Sequence, residues 1–338
     1  MMNINVLTPG LLTTIQDLGR YGYQKYGIIV SGAMDTYAAR LSNILVGNEE
    51  NEGVLEITLI GPSLSLPKGS LISITGAKLS PSINNVEVPM GRPIYLKESS
   101  ILKFGACVNG IRCYLAVAGG FDVPVFMGSK STYLRAKLGG KEGRALKKND
   151  VLKLGRMSTL SLNIIDNLKK ENKNKNFAFP RWHARNSIKE EKHTAIIRVF
   201  EDRQYSAISE ESLDKFFGSS FTIDVKSDRM GYRLKGQKIE LKEKLEMISG
   251  EVSFGTIQIP PDGNPIILLA DRGTSGGYPK IAHVASYDLP KLVQLKPHSK
   301  VKFKKVTLKE AEEMYLKREA YIYELKKSIK LITISGGR

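Results

Sequence analysis

Two stretches carry residue types that can hold and polarise a small ligand. One reads Ala270-Asp271-Arg272-Gly273-Thr274-Ser275-Gly276-Gly277-Tyr278-Pro279-Lys280, the other Ser227-Asp228-Arg229-Met230-Gly231-Tyr232-Arg233. Each sets an Asp-Arg pair beside glycine and tyrosine. An arginine offers a planar fork of donors to a carboxylate or phosphate. Glycine lets backbone N–H groups come close to a ligand, and such donors polarise an amide carbonyl as charge develops on it. The chemistry indicated is binding of a small carboxylate- or amide-bearing molecule. Asp228, Arg229, Asp271 and Arg272 are the candidate catalytic residues. Tyr232, Gln258, Thr274, Gly276, Gly277, Tyr278 and Lys280 are the candidate substrate-binding residues. The two loops are expected to face one another in a shared site between the halves of the chain. The competing reading is a pair of tight turns in which each Asp pairs with its neighbouring Arg and pins its own loop.

Other catalytic grammar is missing. There is no H-E-x-x-H and no complete P-loop. Gly128-Ser129-Lys130-Ser131-Thr132 resembles part of a phosphate-binding loop but lacks the preceding glycine, so a hydroxyl-rich turn is the favoured reading. His283 follows the glycine-rich loop and reads as structural; no Ser–His or Cys–His pair is evident. Cys107 and Cys113 match no zinc spacing, no metal site is expected, and two lone thiols suit a reducing cytosol.

The elements that must position these loops are mostly strands. Short apolar runs recur between Gly and Pro signals, as at Leu71–Ile74, Ile94–Leu96, Ile101–Phe104 and Arg112–Val117, which argues for a barrel or sandwich. Leu55, Ile57 and Leu59 alternate with Glu56 and Thr58 in the period of a half-buried strand. Pro265–Ala270 delivers the first loop and Ile281–Val284 leads away from it. Asp35 caps a helix with Ala38, Leu41, Ile44 and Leu45 on one face, Ser209 starts another, and Thr307 with Glu310 forms a capping box for a C-terminal helix. Leu331–Ile334 reads as a final strand or a disordered tail.

The chain has 338 residues, enough for two domains. Asn, Lys and Glu dominate from Asp166 to Lys175, which places a boundary there. The expected division is 1–165, a linker or surface excursion at 166–194, a second unit at 195–306, and a helix and tail at 307–338. The two halves echo each other faintly, as a diverged duplication would. Lys plus Arg number 51 against 34 Asp plus Glu, a net charge of +17. The cations are scattered and not interleaved with aromatics, so no nucleic-acid partner is expected. No run approaches a membrane span and Met1–Asn5 does not open a signal peptide, so a soluble, cytoplasmic protein is expected.

Leu12–Tyr23, with Thr-Thr-Ile-Gln-Asp-Leu-Gly-Arg at its centre, Ser227–Gly236, with Ser-Asp-Arg-Met-Gly-Tyr-Arg-Leu, and Ala270–Val284 resemble the biotin-dependent carboxyltransferase family. The family is also called allophanate hydrolase subunit 2, and it includes the C component of 5-oxoprolinase and the Kip-inhibitor antagonist. The resemblance runs from about residue 3 to about residue 311 and is nearest to the 5-oxoprolinase branch. It implies a mainly β protein with short helices, made of two tandem cyclophilin-like β-barrel units. It also implies ATP-dependent opening of 5-oxo-L-proline to L-glutamate with partners like the A and B components of 5-oxoprolinase, the ATP belonging to the complex. Two alternatives remain: carboxyl transfer from carboxybiotin to urea, with biotin borne by another protein, or a regulatory module that binds a Kip-inhibitor-like partner. Gly273 stands where the family usually has Gln, Lys78 where Asp is common, and Glu201-Asp202-Arg203-Gln204 where a Gly-Pro-Gln turn is usual.

Overall fold

The computed structural model describes residues 2–170, 176–185, 194–243, 245 and 247–334. The chain forms two compact units, one of Met1–Arg20, Asp35–Ile188 and Tyr321–Arg338, the other of Tyr21–Met34 and Lys189–Ala320. Of the stretch expected to link them, 171–175 and 186–193 lie outside the described residues. Its opening residues complete the helix Thr159–Lys169, capped by Ser158, and Phe177–Ala178 forms a strand on Pro93–Leu96.

In the first unit two six-stranded sheets enclose one core, to which Ile4, Val6, Leu64 and Leu102 contribute from one sheet and Leu55, Ile57, Ile74 and Leu115 from the other. The helix Thr36–Leu45 lies on the second sheet. Asp35 accepts the Ala38 N–H at its N-terminus, and the Thr75 and Ser73 hydroxyls donate to the carbonyls of Ala38 and Ser42. Beneath it the Tyr114 hydroxyl donates to Glu56 (2.7 Å) and accepts from the Asp35 N–H (2.7 Å). The strand Val54–Thr58 is therefore not half exposed. Glu56 is buried because a tyrosine hydroxyl satisfies its carboxylate. Burial pushes the Cys113 thiol up, so that sulfur is an inert core atom.

The second unit is a closed barrel in the order Ala195–Glu201, Lys280–Val284, Thr256–Gln258, Ile266–Leu268, Gly231–Lys235, Phe221–Ile223 and Lys300–Lys305. The last strand closes it by pairing parallel with Ala195–Glu201 and antiparallel with Phe221–Ile223. Alternation in Lys-Val-Lys-Phe-Lys-Lys buries Val301 and Phe303 against Phe216 and Phe221. Ser209 caps the helix Glu210–Gly218. The final helix runs Leu308–Ile334, opened by Thr307 and Glu310 as a reciprocal box, so the expected strand or tail at its end is helical. Its buried seam is Ala311, Ile322 and Ile329, whereas Leu308 and Tyr315 face solvent.

Candidate functional site

A cavity of about 450 Å³ opens in the second unit. Four segments wall it. Tyr21, Gln24, Ile29 and Val30 come from the excursion Tyr21–Met34, and Asp202 and Arg203 from the turn after Ala195–Glu201. Glu251, Val252, Ser253 and Thr256 enter from the turn between Gly250–Glu251 and the barrel strand Thr256–Gln258, and Arg272, Gly273, Thr274 and Lys280 from the glycine-rich loop and the start of the strand it leads into. Its size lies in the range of small-molecule sites.

Arg229 and Asp271 build the wall rather than line it. Arg229 donates through Nε to Asp271 Oδ2 (2.9 Å) and through Nη2 to Oδ1 (3.0 Å). The Asp271 N–H in turn donates to the Arg229 carbonyl, so the two loops are tied together inside one unit. The same groups hold the excursion. The Ser31 hydroxyl donates to Asp271 Oδ1 (2.8 Å), and Arg229 Nη2 donates to the Gly32 carbonyl (2.6 Å). Ser31 (φ 57°) and Gly32 (φ 94°) turn the chain there in the left-handed region. The ion pair thus crosses from loop to loop; neither Asp pairs with the Arg beside it in sequence.

Arg272 and Lys280 face the cavity with charge to spare. Arg272 is buried, and among the described residues its Nε and Nη1 reach only the carbonyls of Val252 (3.4 Å) and Leu269 (3.2 Å). Burial lowers its pKa, and no carboxylate among the described residues balances it. Lys280 is 4% exposed. Its backbone is clamped by Gln204, which accepts the Lys280 N–H (3.0 Å) and donates to the Lys280 carbonyl (2.9 Å). Its Nζ makes no hydrogen bond or ion pair to a described residue, and a side chain at Gly250 would come within 3.0 Å of it. The acids on the wall are otherwise engaged. Glu251 pairs with Arg203 (2.6 Å), and Asp202 accepts the Arg203 N–H (2.7 Å). The N–H groups of Gly273 and Thr274 donate to no described residue. This arrangement favours an anion and offers donors to a carbonyl beside it.

Other expected site residues lie elsewhere. Tyr232 is in the barrel core, because Gly231–Lys235 is a strand and not a loop. Its hydroxyl meets the Val293 carbonyl (3.2 Å). Asp228 is exposed and accepts from the N–H groups of Met230 and Gly231, closing its own turn. Gln258 donates to the Tyr278 carbonyl (3.2 Å) and so shapes the loop from beneath. Gly276 is paired with Gly250, Gly277 lies against Ser249, and Tyr278 is 43% exposed. Arg272, Thr274 and Lys280 are the candidates that line the cavity.

Sequence reasoning did not single out Ser253 and read His283 as structural; the structure sets the two side by side. The Ser253 Oγ lies 2.8 Å from His283 Nε2, and His283 Nδ1 lies 2.9 Å from the Val284 carbonyl. The pairing of Thr256 with His283 across two strands brings them together, and no sequence spacing encodes it. His283 also stacks on Phe200 at 5.2 Å.

The phosphate-loop resemblance has a structural explanation. Both carboxylate oxygens of Asp17 fill the Gly128–Thr132 turn, accepting from Ser129 Oγ (2.7 Å), Ser131 Oγ and the Lys130 N–H (2.6 Å). A phosphate therefore has no place in that turn. Among the described residues no cluster of His, Cys, Asp and Glu could hold a metal, and no helix is long and apolar enough to cross a membrane.

Residues 26–305 match the family described as carboxyltransferase domain, subdomain A and B. The chain is 36% identical over 326 residues to the C component of Haemophilus influenzae 5-oxoprolinase, covering 96% of this chain and 98% of the relative. It is 33% identical to the C component of Escherichia coli 5-oxoprolinase, covering 95% and 97%. A crystal structure of Kluyveromyces lactis urea carboxylase superposes with a TM-score of 0.84 at 30% identity, over 96% of this chain and 29% of that one. A urea amidolyase structure from K. lactis gives 0.82 at 29% identity, and this chain spans 20% of its length.

Proposed function

This chain belongs to the carboxyltransferase domain family, subdomain A and B, and from that premise we propose that it is one component of an ATP-dependent 5-oxoprolinase. In this reading it opens 5-oxo-L-proline to L-glutamate together with partners like the A and B components of that enzyme. The observation that carries the reading is the pair of cavity cations, Arg272 and Lys280, without a carboxylate partner among the described residues. 5-Oxoproline presents a carboxylate to such a pair and a lactam carbonyl to the N–H groups of Gly273 and Thr274. The near full-length match to relatives named as the C component of 5-oxoprolinase supports it further.

A five-membered lactam is stable, so its oxygen must be activated before water can open it; ATP supplies that activation in the complex. This chain's share is to hold the carboxylate, orient the ring and limit water at the carbonyl. Arg229 and Asp271 keep the excursion wall in place while this happens. The likeness to urea carboxylase favours a second reading, carboxyl transfer to urea from carboxybiotin borne by another protein. Glutamate formation from 5-oxoproline and ATP, measured with this chain alone and with its partner proteins added, separates the two. Glutamate is expected only from the mixture. Product from the chain alone, or product only from urea and carboxybiotin, would refute the proposal.

A further inference from the structure

We propose that Ser253 is an acyl-accepting hydroxyl activated by His283, and that it takes acyl groups from small carboxylate-bearing compounds with a good leaving group. The inference needs no particular natural substrate and stands apart from the 5-oxoprolinase reading.

The geometry supplies each part. The Val284 carbonyl only accepts hydrogen bonds, so His283 Nδ1 carries the ring proton and Nε2 is left as an acceptor. The Ser253 Oγ at 2.8 Å is thus the donor, poised to lose its proton to that nitrogen. A nucleophile, a base within hydrogen-bond reach and a third group that orients the base form the pattern of activated hydroxyls. The strands Thr256–Gln258 and Lys280–Val284 fix the pair, Phe200 stacks on the imidazole, and Thr256 Oγ1 accepts the Ser253 N–H at 3.1 Å. Ser253 lines the same cavity as Arg272, Lys280, Gly273 and Thr274. The cations select an anionic acyl group, and the N–H groups of Gly273 and Thr274, which donate to no described residue, are available to the oxyanion.

In the step, Oγ forms a bond to the acyl carbon. The bond from that carbon to its leaving group breaks, and its electron pair goes with the leaving group. The Oγ proton passes to Nε2 and then to the leaving group. Water attacks the resulting ester, gives a proton to Nε2, and Ser253 recovers it. No oxidant, reductant or metal enters the balance. Burial and, to a smaller extent, the charge of Arg272 lower the imidazole pKa below its ordinary 6.5; Asp202 and the Val284 carbonyl oppose this. The imidazole is accordingly neutral, and able to act as a base, at neutral pH.

The test uses the full chain and p-nitrophenyl hydrogen succinate, with p-nitrophenyl butyrate as the neutral control. Peptide mapping of the wild type should find a hydroxylamine-labile succinyl ester on Ser253, formed faster than the butyryl ester. Its rate should be level above pH 6.5 and fall as the pH drops through the lowered His283 pKa. The adduct should vanish in Ser253→Ala and form about 100-fold more slowly in His283→Gln. Mapping of the wild type needs no variant to fold. Adducts confined to lysines, or a Ser253 ester that forms equally fast in His283→Gln, would overturn the proposal.

Discussion

Arg229 donates to both oxygens of Asp271, and the two side chains are 10% and 9% exposed. Removing the arginine strands a buried carboxylate that also anchors Ser31. Arg229→Ala is therefore expected to cost about 3 kcal/mol of stability. Arg272 has no carboxylate to strand. Arg272→Met keeps most of its packing volume and is expected to change stability by less than about 1 kcal/mol. Denaturant midpoints of the two variants check this, and equal losses would mean that both arginines are structural. The Asp-Arg pairs are visible in the sequence, but their division of labour is not. Tyr232 shows why. Its neighbours Asp228 and Gly231 look like loop residues, yet the ladder from Gly231 onward carries its ring into the core, where the added contacts outweigh the local turn signal.

At the scale of elements, the Gly128–Thr132 turn is held by Asp17, which also accepts the Gly19 N–H at 2.8 Å. Asp17→Ala leaves the Ser129 and Ser131 hydroxyls and the Lys130 N–H without this acceptor. It is expected to lower stability by roughly 2–4 kcal/mol in a thermal or denaturant melt. A variant as stable as the wild type would show that water replaces the carboxylate fully. Local signals serve well where one turn of chain decides the outcome: Asp35, Ser209 and the Thr307–Glu310 box all cap the helices expected of them. They fail where distant strands decide. The barrel-closing strand Lys300–Lys305 is nearly all lysine around its two buried side chains, so its composition hides it. Ser253 and His283 meet only through strand register, which a single sequence does not reveal.

The whole chain matches 5-oxoprolinase relatives almost end to end, and its cavity is built within the second unit alone. Of the positions read in the sequence as departures from the family pattern, Gly273 and the Asp202-Arg203 turn lie on that cavity; Lys78 does not, and bridges to Glu87 at 3.4 Å in the first unit. The most direct measurement of the central claim is the KM for 5-oxo-L-proline of the reconstituted complex, with wild-type chain and with Arg272→Met. Loss of one charged hydrogen-bond partner to the substrate carboxylate costs about 2–3 kcal/mol, so KM should rise roughly 30- to 150-fold while the melting temperature holds. An unchanged KM in a folded Arg272→Met complex would contradict a carboxylate site at this cavity.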